Sequence, residues 1–386
     1  MLRKTVFWIH LGCGVVTGLV IAMMSVTGVL LTYERQMLAW ADARSHAPID
    51  VTADPRQSIE SLLGAVRSQD PEFRPTSLTL ASDPERAVTL GAGRGGGSRL
   101  VDPYTEELLG EGATGLRAFF GAVTGWHRWF NATGEARGPW RAVTGISNLA
   151  FLFLLLSGLY LWLPRVWKWA AFRVHLWFNP KVSSAKARDY NWHHVFGFWT
   201  AIPLIVIVYT ATVFYYGWSN DLLYAAFGEQ PPQGGRAPTA ADAVAVDGAS
   251  GLKTPPPPLS LDVQMRNAMQ QVSDWNRITL QLPDATGEDV RFTIDRGTGG
   301  QPQHRHTLAL DAASGAIAAW EPFSDQTPGR QARSWVRFLH TGEAFGLIGQ
   351  TIAGIVSATT VLMVWTGFAL AWRRLVSPLL RRTKAG

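Results

Sequence analysis

Residues 5–33 read TVFWIHLGCGVVTGLVIAMMSVTGVLLTY, a run of 29 positions without Asp, Glu, Lys or Arg. A helix rises about 1.5 Å per residue, so about 20 apolar residues cross about 30 Å of hydrocarbon, and this run exceeds that length. Arg3 and Lys4 precede it, and Ala39-Trp40-Ala41 weakly resembles a cleavage site. A secretory signal has an apolar core of only about 7 to 15 residues, however, so the segment reads as a retained span. Working outward, three further charge-free runs lie between Arg141 and Arg165, Asp189 and Asp221, and Glu343 and Arg373. Together they hold the charged fraction of the 386 residues to 17%, against about 25% in soluble chains. The single cysteine, Cys13, excludes an intrachain disulfide, a Cys-rich zinc site and covalent C-x-x-C-H haem attachment.

Short loops orient spans through Lys and Arg. Arg3, Lys4, Arg165, Lys168, Arg173, Lys181, Lys186, Arg188, Arg373, Arg374, Arg381, Arg382 and Lys384 all fall on one side of a four-span chain. Opposite them, residues 34–142 and 217–343 hold 22 Lys and Arg against 28 Asp and Glu. The net charge of +6 is therefore a positive-inside signature and no footprint for nucleic acid. The expected fold is a membrane α-helical bundle of four transmembrane helices, both termini cytoplasmic, with two α+β domains projecting outward. Its segments are span 5–33, outer domain 34–125, interfacial segment 126–142, span 143–163 and basic loop 164–192. Span 193–217, outer domain 218–338 with a Pro-rich linker, span 340–372 and tail 373–386 follow.

The two halves repeat. Helical stretches at Ser58 to Ser68 and Leu261 to Val272 each precede strand-like runs, Ala87 to Leu90 and Asp289 to Ile294. Each outer domain then closes on a turn, Asp102-Pro103-Tyr104-Thr105 and Asp311-Ala312-Ala313-Ser314-Gly315, whose polar side chains satisfy nearby amides. Thr133-Gly134-Glu135-Ala136 recurs as Thr341-Gly342-Glu343-Ala344, and His10, Gly14 and Thr27 recur as His193, Gly197 and Thr210. Two copies running in the same direction pack about a pseudo-two-fold along the membrane normal. The glycine run from Gly91 to Gly97 precedes a strand, so it reads as a hairpin and not a nucleotide loop. Gln230 to Gly251 and Pro255 to Pro258 read as linker.

The histidines carry the chemistry. His10 and His193 stand at the cytoplasmic ends of spans one and three, and His127 and His340 at the outer side before spans two and four. Without a thiolate, neutral imidazole is the usual protein ligand for haem iron, and two imidazoles close both axial positions. Glycine four residues after His10 and His193 leaves a small residue one turn away on the same face, room for a flat macrocycle. His194 points about 100° from His193 and is a substitute for it as inner ligand. The Thr-Gly-Glu-Ala register sets Ala132, not His127, opposite His340, while His340 runs straight into its span. His304 and His306 share a strand face and read as solvated surface, and His46 and His175 as surface or interfacial residues. Trp126, Trp129, Trp140, Trp335 and Phe338 form either an interfacial belt or the wall of a cleft. Arg128, Arg141 and Arg337 suit carboxylates, including haem propionates.

The His-x-x-x-Gly span openings, the two turns and Leu339-His340-Thr341-Gly342-Glu343 together resemble the PepSY-associated transmembrane family over nearly the whole chain. That family includes bacterial inner-membrane proteins of iron acquisition, among them haem-containing ferric-siderophore reductases. The resemblance implies two b-type haems in the bundle and PepSY-like α+β modules in the periplasm. Some relatives carry a fused flavin-binding reductase module. This sequence ends fourteen residues after Trp372, so the expected donor is a separate cytoplasmic reductant or membrane quinol. The expected activity is reduction of a periplasmic ferric siderophore, which releases iron because hard oxygen chelators hold Fe(II) less tightly than Fe(III). The alternatives are a siderophore transporter without redox chemistry, a regulatory binding protein, and a cytochrome subunit serving another acceptor.

Overall fold

The computed structural model describes the chain apart from residues 53, 94, 165–166, 233–257, 284–288 and 383–386, so most of the Gly/Ala/Pro-rich linker lies outside the described residues. In chain order come α1 (Leu2–Leu31), α2 (Glu34–Ala43), α3 (Ile59–Gln69), and strands β1 (Ser77–Ala81), β2 (Val88–Gly91), β3 (Ser98–Val101) and β4 (Leu108–Gly110). Then come α4 (Thr114–Trp129), α5 (Arg137–Trp162), α6 (Trp169–Leu176), α7 (Ala185–Tyr215), α8 (Gly217–Ala225) and α9 (Leu261–Gln271). Strands β5 (Arg277–Gln281), β6 (Asp289–Asp295), β7 (Arg305–Asp311) and β8 (Ile317–Pro322) precede α10 (Pro328–Thr341), α11 (Gly346–Leu375) and α12 (Ser377–Arg382). Two compact units result, one of residues 1–34, 118–223 and 336–386, the other of 35–117 and 224–335.

The first unit is a bundle of α1, α5, α7 and α11, the four described helices long and apolar enough to cross a membrane. Their polarity is inverted relative to a water-soluble core. Val16, Ile202 and Ile348 are 80%, 77% and 75% exposed, whereas Thr17, Ser25, Thr144, Ser147, Thr212, Thr360 and Thr366 are buried. Lipid tails are as apolar as any leucine, so such helices associate through small and hydroxyl residues that permit close approach. Several interior hydroxyls also satisfy themselves locally: Ser25 Oγ donates to Ile21 O at 2.8 Å and Thr360 Oγ1 to Val356 O at 2.9 Å.

Neighbouring helices run antiparallel. Arg3 near the start of α1 donates to Leu161 O and Leu163 O at the end of α5, while Gln350 in the first turns of α11 donates to Thr32 O just beyond α1. Asn148 of α5 donates to Val208 O at 3.1 Å and Thr212 Oγ1 at 3.0 Å of α7. Consequently α1 and α7 start at one end of the bundle, and α5 and α11 start at the other.

The second unit is built on one antiparallel sheet of order β4-β3-β2-β1-β5-β6-β7-β8. Two separate outward domains are the sequence expectation; here the strands of both stretches join in one sheet through β1 and β5, in a register pairing Thr79 with Thr279. The two threonine hydroxyls meet at 3.0 Å on that seam. Alternation in β1, β5 and β6 turns Leu78, Leu80, Ile278, Leu280, Val290, Phe292 and Ile294 to one buried face. There they pack with Ile59, Leu62 and Val66 of α3 and Met265 and Ala268 of α9. Truncating a residue such as Leu280, which is fully buried, to Ala costs about 2–5 kcal/mol.

Ser58 and Ser260 cap α3 and α9, accepting from Ser61 N and Val263 N. The two helix starts also clasp each other, since Ile59 N donates to the Asp262 carboxylate and Leu261 N to Glu60 Oε1. The expected turns form: Asp102 Oδ1 accepts from Tyr104 N and Thr105 N, and Asp311 Oδ1 from Ser314 N. The Gly91–Gly97 run turns β2 into β3, with Gly93, Gly95 and Gly97 at positive φ. His304 does not share a strand face with His306. It closes a 3-10 turn, Pro302–His304, whereas His306 lies in β7 stacked on Trp320 at 5.3 Å.

Candidate functional site

His10 and His193 project from α1 and α7 near the end of the bundle where those helices begin, and His127 and His340 lie toward the opposite end. The expectation that His340 runs into the fourth span is corrected. His340 is in the last turn of α10, and α11 begins only at Gly346. Gly342 at φ 77° and Gly346 at φ 61° break the helix between them. A Cβ at Gly342 would also collide with the backbone of Gly349. His127 has the matching position in the last turn of α4, which ends through Phe130 and Asn131 at φ 55° and 54° and a return bond from Asn131 N to Gly125 O. Both residues therefore lie on separate helices that deliver them to the bundle.

Each of the four rings is held at Nδ1. His10 meets Ser157 Oγ at 2.8 Å, and His127 meets Thr27 Oγ1 at 2.9 Å. His193 meets Thr366 Oγ1 at 3.1 Å and Met363 O at 3.2 Å. His340 meets Thr210 Oγ1 at 3.3 Å and Ile207 O at 2.9 Å. The partners assign the tautomer. A carbonyl can only accept, so Nδ1 of His193 and His340 carries the proton. The single protons of Ser157 and Thr27 already go to Phe153 O at 2.6 Å and Met23 O at 2.7 Å, so those hydroxyls accept from His10 and His127. All four imidazoles are thereby left with an unprotonated Nε2, the arrangement that second-shell partners impose on metal-binding histidines. Burial, followed by the neighbouring His340, pushes the His127 pKa down to about 4, which keeps that ring neutral near pH 7.

His127 and His340 have ring centres 6.2 Å apart with planes at 66°; toward the other end His10 acts electrostatically on His193, and His194 on His10. Among the described residues no group of three or more His, Cys, Asp or Glu could hold a metal ion. Paired imidazoles thus suit a metal that brings its own remaining ligands, as the iron of a porphyrin does. Gly158 and Gly367 lie beside the rings of His10 and His193, where a Cβ would stand 3.4 Å from His10 Cε1 or 3.5 Å from His193 Cε1, at ordinary van der Waals contact. Gly14 and Gly197 have a different role from the one expected, since they face Leu154 and Met363 across helix contacts.

Four arginines, Arg128, Arg137, Arg141 and Arg337, gather near the His127–His340 pair, all with exposed side chains. Arg128 and Arg137 stack on the Trp129 ring, with Cζ 4.8 and 3.8 Å from its centre, and Arg141 stands over Tyr215 at 5.3 Å. Tyr215 Oη in turn donates to Arg128 O at 2.9 Å. Partial burial is the main influence holding the Arg128 pKa below its usual value; Tyr215 opposes it, and the like charges of Arg141, Arg137 and Arg337 add to it. A guanidinium keeps its proton regardless.

Residues 7–374 match the description of the PepSY-associated TM region. The chain belongs to the PepSY-associated transmembrane family. No curated protein matches it.

Within this PepSY-associated transmembrane chain, His194 departs from the pattern of the other four. Its Nδ1 donates to Tyr190 O on its own helix, and its ring packs on Tyr190 at 4.0 Å and His175 at 4.7 Å. His193, in contrast, has the cross-helix hydroxyl partner that His10, His127 and His340 share. Trp126, Phe130 and Trp140 pack in series, Phe338 is buried, and Trp335 falls in the other unit. Sequence reasoning missed Arg137 and the supporting hydroxyls Ser157 and Thr366. The Ser157-Gly158 and Thr366-Gly367 pairs lie 209 residues apart, within one residue of the 208 that separates the Thr-Gly-Glu-Ala copies starting at Thr133 and Thr341, a signal present in the primary structure.

Proposed function

We propose that this is a bacterial inner-membrane, di-haem b-type electron-transfer protein that reduces ferric siderophore on the periplasmic side and so releases iron. The observation that carries this reading is the fourfold arrangement of half-buried histidines, each fixed by its Nδ1 proton with Nε2 left to ligate, two toward each end of one bundle. Haem b, when bound, would supply an iron that exchanges single electrons. His10 with His193 and His127 with His340 are the proposed axial ligands. Ser157, Thr27, Thr366 and Thr210 hold the rings in one tautomer and orientation. The Lys and Arg bias of the short loops supports a cytoplasmic location for both termini and for the His10–His193 end. The recurrence of histidine, hydroxyl and glycine in both halves supports an internal tandem repeat whose outer stretches are periplasmic PepSY-like modules.

A separate cytoplasmic reductant or the quinol pool is the proposed donor, and a ferric siderophore the acceptor. A stopped-flow experiment tests the activity: dithionite-reduced protein, freed of excess reductant, is mixed with ferric siderophore in the presence of an Fe(II) chromophore. Reoxidation with one Fe(II) trapped per electron is the expected result. A reduced protein that remains unchanged for minutes in excess ferric siderophore, yet is reoxidised by a small inorganic oxidant, would transfer electrons to another acceptor.

A further inference from the structure

Arg128 of α4 and Arg137 of α5 share the Trp129 ring, Arg141 of α5 lies over Tyr215, whose Oη donates to Arg128 O, and Arg337 of α10 acts electrostatically on Arg128; none of the four pairs with a carboxylate among the described residues. Exposed like charges brought this close repel one another unless an anion lies among them. The molecule holds them there deliberately: Arg141 Nη2 reaches Phe214 O and Tyr215 O at 3.4 Å, and Trp129 carries both Arg128 and Arg137 on its ring. Planar guanidiniums fixed on aromatic faces suit bidentate recognition of carboxylate-type oxygens. Arg128 directly follows His127 in the chain and acts electrostatically on His340.

We infer that these four arginines form a binding site for a multivalent oxyanion, and that the preferred acceptor is an anionic ferric chelate with free carboxylates, not a neutral or cationic one. The inference rests on the ferric-reductase reading and names its substrate class. In the step, Fe(III) of the chelate gains one electron, supplied by the quinol or cytoplasmic reductant, and becomes Fe(II). The bound complex is then one unit more negative. Four surrounding positive charges stabilise that product more than the starting complex, so the site favours reduction as well as binding.

The test uses the full chain in nanodiscs of zwitterionic lipid, with redox-inert Ga(III)–citrate as the anionic probe and a Ga(III) trihydroxamate bearing a free amine as the cationic one. Equilibrium dialysis is expected to show citrate-complex binding that weakens as salt rises and falls at least about tenfold in Arg137→Gln/Arg337→Gln, with most of it restored in Arg137→Lys/Arg337→Lys. Equal binding of both probes, or no loss in the Gln variant, overturns the inference. Loss of haem content from the Gln variant with gallium binding unchanged assigns the arginines to haem propionates and overturns it too. Displacement of the citrate complex by phosphatidylglycerol, but not by free citrate, makes the site a lipid headgroup site and does the same. Melting curves of both variants control for folding. Reoxidation separates the two claims: ferric citrate that binds yet does not reoxidise the reduced protein defeats the reductase reading alone. Reoxidation equally fast with the cationic ferric trihydroxamate defeats the substrate class alone.

Discussion

Ser157 and Thr27 are the hydroxyls on which His10 and His127 depend, while His193 and His340 each have a backbone carbonyl as well. That asymmetry makes a specific prediction. Ser157→Ala and Thr27→Val each leave a ring without its Nδ1 acceptor, and a lost second-shell partner typically lowers metal affinity about 10–100-fold. Thr366→Val and Thr210→Val leave Met363 O and Ile207 O in place, so their effect is smaller. Haem titration of the four variants, read as retention at equal free haem, checks the order; equal losses in all four would remove the hydroxyls from the account. At this scale His10 and His193 were legible because a polar ring in a charge-free run stands out, and His127 and His340 because each stands shortly before a span. Their hydroxyl partners were not, because a Ser or Thr in a membrane helix usually bonds only to its own backbone. Ser157 does that too, and only the fold brings His10 to its free lone pair.

Between elements, the clasp of α3 and α9 sets two carboxyls together. Burial, then the hydrogen bond to Glu60 and the Glu60 charge, raises the Asp262 pKa. Burial acts to raise that of Glu60 as well, but its hydrogen bond with Asp262 and its backbone donors prevail and lower it. A raised group contributes stability below its usual value that is lost as pH rises through the raised one, and a lowered group does the reverse. Near neutral pH both are ionised and repel. Asp262→Asn keeps an oxygen for Ile59 N and removes that repulsion, so it should stabilise the sheet unit by a few tenths of a kcal/mol at pH 7 after solvent screening. The gain should vanish as the pH falls through the raised Asp262 pKa, where the acid shares its proton with Glu60. Melting temperatures at pH 7 and below that pKa measure it, and an unchanged or lower value at pH 7 would contradict it. The four spans, α3, α9 and the strands β2 and β6 were readable from charge-free runs and periodicity, whereas the helices α4 and α10 that carry His127 and His340 were not. The joining of the strands into one sheet was not, since the alternation of Leu78 and Leu280 says which face is buried but not that β1 lies beside β5. The break before α11 was equally hidden, because it depends on the positive φ of Gly342 and Gly346.

For the whole molecule, the proposed topology and the proposed cofactors are separately testable. Cys13 is the single cysteine, so a Cys13→Ser background permits clean labelling. An impermeant thiol reagent added to intact spheroplasts should modify Arg86→Cys, in the outward stretch, and leave Lys181→Cys, in the basic loop, untouched until the membrane is opened. The reverse pattern would invert the protein and put the proposed acceptor site in the cytoplasm. The central claim is that two pairs of histidines hold two haems, and the most direct measurement is the visible spectrum of detergent-purified protein, oxidised and dithionite-reduced, with haem counted per chain for wild type, His10→Ala and His340→Ala. The account predicts sharpened, split bands on reduction, two haems per chain, and the loss of one in each variant. A folded protein that is colourless and takes up no added haem, or variants that keep both haems, would contradict it.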